Sequence, residues 1–343
     1  MITRNDVAIK AKVSPTVVSY VLNGSNYVSE EKRKAVLDAV KELNYIPNHT
    51  ARSLRNQKTY QIAVLRGNAL NDMFNDLMDK MELLAYDYGY TISLLTVIRD
   101  ENLIVVDSFI DKLISRRFDA VFVANNSLTT SQLNKLLSCG IKVLLYPTKD
   151  YFGLDEHISC LSPDYRNGVK MLIDMLIELG HTRIAFMPNF MYPSVWDQSN
   201  HRFDGYVNSL AAHGIPINMA YIGKGENKTM DQMIDNVKRF FDLTLVKEPP
   251  TAIYIDESVV AGTVMKYLSS CGISVPENVS IATSSDSTIA RILTPRLTSI
   301  GVNVEMLAKK AFSMMIEMIN GGHPESCMME MTLHQRESVK SLI

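Results

Sequence analysis

Apolar residues return at helical spacing three times within the first 45 positions. Val7, Ala8 and Ala11 make one short stripe, Val17, Val18, Val21 and Leu22 a second, and Val36, Val40 and Leu43 a third. Polar residues stand where helix caps are needed. Thr3 with Asp6 predicts a capped first helix and Ser14-Pro15 a second. Ser29 predicts the cap of a third, with Glu30 and Glu31 at its positive end. Asn23-Gly24 ends the second helix. Only Lys12-Val13 remains for a turn between the first two, and Thr16, Ser19 and Tyr20 lie off the second apolar stripe. Helices joined this tightly predict a helix-turn-helix, which reads base edges from the N-terminal half of its second helix. A three-helix bundle of purely structural role has the same spacing.

From residue 61 the period changes. IAVLR (62–66), TISLLTV (91–97), AVFVAN (120–125), KVLLYP (142–147), RIAFMP (183–188), AIYIDE (252–257) and VSIATS (279–284) are short apolar runs. Helical stretches such as MFNDLMDKMELLAYDYG (73–89) separate them. Near-continuous apolar strands alternating with helices predict parallel sheets covered on both faces. The units are too many for one open sheet, and 343 residues exceed what one core usually organises, so two lobes are expected.

Charge sharpens the division. Residues 1–60 hold ten Lys/Arg and five Asp/Glu, whereas the remainder carries a net charge of −7. A basic head on an acidic body suits a chain that touches nucleic acid with one end. The start, MITRNDVAIKAKV, lacks the apolar core of an export signal, and no run approaches a membrane span, so a cytoplasmic protein is expected. Cys139, Cys160, Cys271 and Cys327 are scattered and expected to be buried, reduced thiols. No metal site and no cofactor are expected. Absence of a G-x-S-x-G elbow, a P-loop and a G-x-G-x-x-G after the first strand argues against an enzyme.

Between the two regions, Pro47 breaks the chain direction, and residues 48–56 have almost no apolar face. Leu54 stands alone between Arg52 and Arg55. Such a segment reads either as a plain linker or as one that orders on DNA, its leucine wedged into a minor-groove step.

The run from NDVAIKAKVSPTVVSYVLNGS to ELNYIPNHTARSLR resembles the LacI/GalR family of bacterial transcription regulators. The resemblance continues through LGHTRIAF (179–186), RFDGY (202–206), PTAIY (250–254), VPENVSIA (275–282) and TPRLTSI (294–300). It implies a helix-turn-helix headpiece at 1–46, a hinge at 47–60 and a periplasmic-binding-protein-like (type I) α/β body at 61–343. Lobe 1 is expected over 61–162 and 291–322, lobe 2 over 163–290 and 323–343. Bases would be read by Pro15, Thr16 and Tyr20, with Ser19 on the same helix. Relatives usually carry Arg at the position of Tyr20, and Tyr cannot make that residue's two-pronged contact to guanine. Ser14, Asn23, Tyr45, Arg52 and Arg55 would hold phosphates, and Leu54 would meet its mate at the centre of a pseudo-palindromic operator. The implied partners are double-stranded DNA, a second copy of the chain and a small-molecule effector.

The family binds its effector between the lobes, at the carboxyl ends of strands. Here that points past Arg66, Val123, Tyr146, Asp164, Pro188, Ile255 and Ser284. Arg202 and Asp164 match familiar effector contacts. A habitual Asn-Asp pair reads Glu257-Ser258, and a habitual Gly-aromatic-Asp reads Thr283-Ser284-Ser285 with Asp286 next. Asp164, Arg202, Asp256, Glu257 and Asp286, with Phe74, Tyr192 or Trp196 for stacking, are therefore the candidate sugar contacts. A repressor of carbohydrate-utilisation genes is the favoured reading. A non-sugar metabolite, a protein corepressor and an extracytoplasmic sugar-binding protein are the alternatives, the last opposed by residues 1–56.

Overall fold

The computed structural model describes residues 2–22, 27–46, 58–66, 72–100, 105–124, 126–188, 200–223, 229–243 and 247–343. It separates into two compact units, residues 1–59 and 60–343.

The small unit holds α1 (Arg4–Lys10), α2 (Pro15–Leu22) and α3 (Glu30–Glu42). Thr3 and Asp6 form the expected reciprocal cap on α1. The Ser14 hydroxyl accepts from Val17 N–H at 3.3 Å, opening α2. Lys12 takes φ +53° in the turn between them, the left-handed geometry that lets two short helices meet sharply. Ser29 stands at the start of α3 but makes no side-chain cap, so only its carbonyl engages the helix, accepting from Arg33 N–H. Val7, Ala8, Val18, Val21, Val28, Val36, Ala39 and Tyr45 close the core.

The large unit runs β1 (Gln61–Arg66), α4 (Asp72–Asp87), β2 (Thr91–Thr96), α5 (Asp107–Arg116), β3 (Ala120–Val123), α6 (Thr130–Ser138), β4 (Lys142–Leu145) and β5 (Ser159–Pro163). It crosses to a second sheet with α7 (Tyr165–Glu178), β6 (Ile184–Met187), α8 (His201–Ala212), α9 (Met230–Phe240), β7 (Ala252–Ile255), α10 (Ser258–Ser270), β8 (Ser280–Thr283), α11 (Thr288–Ile292) and β9 (Thr298–Gly301). Next come α12 (Val304–Ile319), β10 (Cys327–Met329) and β11 (Thr332–His334). The first sheet is ordered β10-β5-β4-β3-β1-β2 and the second β11-β9-β8-β7-β6. All pairings are parallel except β11 on β9.

Alternation of side chains gives each sheet two cores. In lobe 1, Ile62, Val64, Phe122 and Leu144 face α4 and α12, whereas Ala63, Leu65, Val121, Val123 and Leu145 face α5 and α6. Sheet membership moves two expected crossings. Thr298–Gly301 pairs within lobe 2, about ten residues past the predicted boundary, and Cys327–Met329 returns to lobe 1 beside β5. An apolar run reveals a strand but not which sheet receives it. The thiols also depart from expectation, since Cys139 and Cys271 are exposed and Cys160 and Cys327 half-buried. Cys139 and Cys271 stand just past helix ends, where little packs over them.

Helices α7 and α8 touch backbone to backbone. A Cβ on Gly205 would lie 2.5 Å from the Arg166 carbonyl oxygen and 2.9 Å from Val169 Cβ. Only glycine admits that approach.

Candidate DNA-reading and ligand-binding sites

In the small unit, α2 buries Val18 and Val21 and turns Pro15, Thr16 and Tyr20 outward. Thr16 and Tyr20, four residues apart, share one helical face. Tyr20 is 42% exposed, a large aromatic side chain left in solvent on a helix whose other face is packed. Ser14 is exposed beside them at the helix start. Two of the expected contacts are less accessible than the others. Ser19 is buried at 7%, because its position on α2 turns it toward the packed face. Tyr45 is also buried, its ring within the core formed by Val7, Val18 and Val36. Asn23, Arg52, Leu54 and Arg55 lie outside the described residues.

In the large unit, the carboxyl ends of the strands gather a buried polar cluster. Arg202, in the first turn of α8, places Nε 2.6 Å from Asp256 Oδ1 and 3.2 Å from Ser284 Oγ. Its guanidinium lies 3.5 Å from the Tyr165 ring centroid, a cation–π contact. Asp256 Oδ1 also accepts from the Tyr254 hydroxyl at 3.1 Å. Asn200 caps α8 by accepting from Arg202 and Phe203 N–H, which fixes where the guanidinium emerges. Tyr146, beyond β4 of lobe 1, faces this cluster. Burial and the Tyr165 neighbour push its phenol well above 10.0, with Arg202 acting in the opposite sense.

A second cluster bridges the lobes. Asp150, in the loop after β4, receives Arg166 Nη2 at 2.6 Å and His201 Nε2 at 3.0 Å. Arg166 Nε donates onward to Asp204 at 3.0 Å. Burial opposes the charge on Asp150, but the hydrogen bonds from Arg166 and His201 prevail and hold its carboxyl below the usual range. Burial pulls His201 below 6.5, although the Asp150 contact works against it.

The other candidates are distributed unevenly. Asp256 joins Arg202, and Glu257 is half-buried next to it at the start of α10. Asp164 caps α7, accepting from Asn167 N–H at 3.2 Å and Asn167 Nδ2 at 2.7 Å. Phe74 is buried and packs in the lobe 1 core with Leu77 and Met78. Asp286 is drawn into a cationic clasp, with Arg336 Nη2 at 2.5 Å, Arg291 Nη2 at 2.7 Å and Ser299 Oγ at 2.8 Å. Burial would raise its pKa, and these donors reverse the shift. Trp196 and Tyr192 lie outside the described residues. Tyr165, Tyr146, Asp150, Arg166 and His201 complete the clusters without having been named as contacts. Tyr165 follows Asp164 and Tyr146 ends a strand, so an aromatic residue at each strand's carboxyl end was the available signal. His181 has no chemical task in view. It is fully buried, with Nε2 donating to the Lys340 carbonyl and Nδ1 beside the Thr251 hydroxyl.

A helix-turn-helix unit followed by a two-lobed α/β body with a polar cluster at its strand ends defines a DNA-binding transcriptional regulator. Residues 3–48 match the bacterial regulatory proteins, lacI family, and residues 173–339 the periplasmic binding protein-like domain. The chain thus joins a lacI-type regulatory domain to a periplasmic binding protein-like domain. It is 28% identical over 321 residues to the HTH-type transcriptional repressor PurR of Actinobacillus pleuropneumoniae serotype 3, covering 93% of this chain and 91% of that protein. The Lac repressor dimer bound to operator and the anti-inducer ONPF superposes with a TM-score of 0.82 at 19% identity, over 99% of each chain. The transcriptional regulator CelR in its cellobiose complex gives 0.68 at 23% identity, over 98% of this chain and 100% of that one.

Proposed function

We propose that the protein is a cytoplasmic transcriptional repressor that reads a pseudo-palindromic operator as a homodimer and is controlled by a sugar or sugar derivative held between its lobes. The observation that carries this reading is α2, packed through Val18 and Val21 while Thr16 and Tyr20 stand in solvent. Residues 47–60 serve as the hinge, with Leu54 at the operator centre and Arg52 and Arg55 on phosphates. Dimerisation is supported by the open edge of lobe 1. There β2 is an edge strand, and Leu83, Tyr86, Leu94 and Ile98 leave large apolar surfaces uncovered. Sugar control is supported by the cellobiose complex of CelR and by Arg202 and Asp256 at the strand ends. Effector binding shifts the balance between lobe arrangements, and only a ligand with unequal affinity for the two can do so.

Selection from random duplexes by the full-length protein tests the reading. Enrichment of a two-fold-symmetric site is expected. Tyr20→Ala should lower the preference for that site by about tenfold or more while leaving non-specific affinity unchanged. Absence of any enriched sequence at moderate salt refutes the assignment.

A further inference from the structure

Lobe 1 includes a cation that no carboxylate among the described residues neutralises. Arg66 ends β1, its side chain is half-buried, and its Nε is fully covered without a hydrogen-bond partner. No carboxylate among the described residues forms an ion pair with it. The Tyr146 hydroxyl is a second orphan, on a side chain only 5% exposed. Buried donors are almost always satisfied, so two orphans in one place call for an explanation.

Register brings them together. Leu65, Val123 and Leu145 are in line across β1, β3 and β4, and all face the α5/α6 core. The next residue on each strand is Arg66, Ala124 or Tyr146, and these face the opposite side. Tyr146 and Ala124 do pack on that opposite core, and the alignment continues through Ala124 N–H to Leu65 O and Tyr146 N–H to Val123 O. Arg66 and Tyr146 thus flank a position two strand spacings wide, about 10 Å, whose floor is the single methyl of Ala124. Across it lie Tyr165 and Arg202, the latter already engaged by Asp256.

We propose that the molecule held between the lobes carries an anionic oxygen group, a carboxylate or a phosphate, seated over Ala124 between the Arg66 guanidinium and the Tyr146 hydroxyl. The proposal rests on the reading of the interlobe cleft as the effector site and names the chemical class of its ligand. A guanidinium donates along Nε–H and Nη–H to two oxygens of one anion, and a phenol adds a third donor from the other flank. A neutral sugar would offer the half-buried Arg66 no countercharge.

Calorimetric titration of the full-length protein, using inorganic phosphate, glucose 6-phosphate, ribose 5-phosphate and gluconate beside glucose and ribose, tests this. Saturable binding of anionic probes at millimolar concentration is expected, with at least about tenfold weakening in Arg66→Met and a smaller loss in Tyr146→Phe. Melting temperatures and circular dichroism spectra close to those of the parent protein verify the folding of both variants. Binding of the neutral sugars alone, equal anion affinity in Arg66→Met, or no binding of any anion overturns the proposal. Operator affinity measured with the same probes separates the two readings. If neutral sugars change it and anions do not, the cleft remains the effector site and the anion proposal fails. If anions bind through Arg66 without changing it, the subsite stands and the effector reading fails.

Discussion

Among single side chains, Arg202 concentrates the energetics of the body. Its guanidinium and the Asp256 carboxylate are both more than nine-tenths covered, so each depends on the other for compensation. Removing one partner of such a pair leaves a buried charge and costs about 3–5 kcal/mol. Arg202→Ala should therefore lower the melting temperature of the isolated protein well beyond what a surface substitution does. Arg202→Met with Asp256→Asn should restore most of the loss, and thermal unfolding followed by circular dichroism reads both. The same pair shows what was legible residue by residue. Arg202 was picked through the resemblance carried by RFDGY, and Asp256 as a carboxylate at the end of the strand AIYIDE. Asp286 sits in an equivalent-looking place, yet Arg291 and Arg336 claim it, the latter 50 residues away in the chain. Ser19 is less exposed than its place off the apolar stripe implies, for a local reason: an eight-residue helix packed against two others buries more than the residues of that stripe.

The loop after β4 and the starts of α7 and α8 form a clasp whose strength depends on protonation. His201 is held below 6.5 by burial, so its neutral form is favoured in the folded chain. That contribution is complete above the ordinary histidine value and is lost as pH falls below it. His181, also pulled down by burial, adds to the same window. Asp150, with a depressed carboxyl, supports the fold until pH falls through the more acidic range below 3.8. The melting temperature should thus be flat above about pH 7 and decline toward pH 5, with His201→Gln reducing the slope but leaving the His181 part. An unchanged slope in that variant would remove His201 from the account. Secondary elements were largely readable, because caps and strand runs are local signals. The crossings at β9 and β10 were not, since an apolar run does not show whether it joins its neighbour in sequence, as β9 joins β8, or a distant strand, as β10 joins β5.

For the entire molecule, the decisive surface is the uncovered edge of lobe 1. If two copies join there, Leu83→Glu with Tyr86→Glu places charge in an apolar contact and should convert the dimer to monomer in sedimentation equilibrium. Operator affinity should fall by about a hundredfold or more, because each monomer then meets only half a site. The basic head and acidic body, evident from charge alone, remain the clearest global statement the chain makes about its partner. A different consequence follows from Gly205. Since it seats α8 directly on the backbone of α7, Tyr165 and Arg166 on one helix and His201 and Arg202 on the other ride a common yoke. Were the proposed ligand to engage Arg202, the Asp150 rim contacts would be expected to move with it, which would make occupancy act as a toggle and not as a dial.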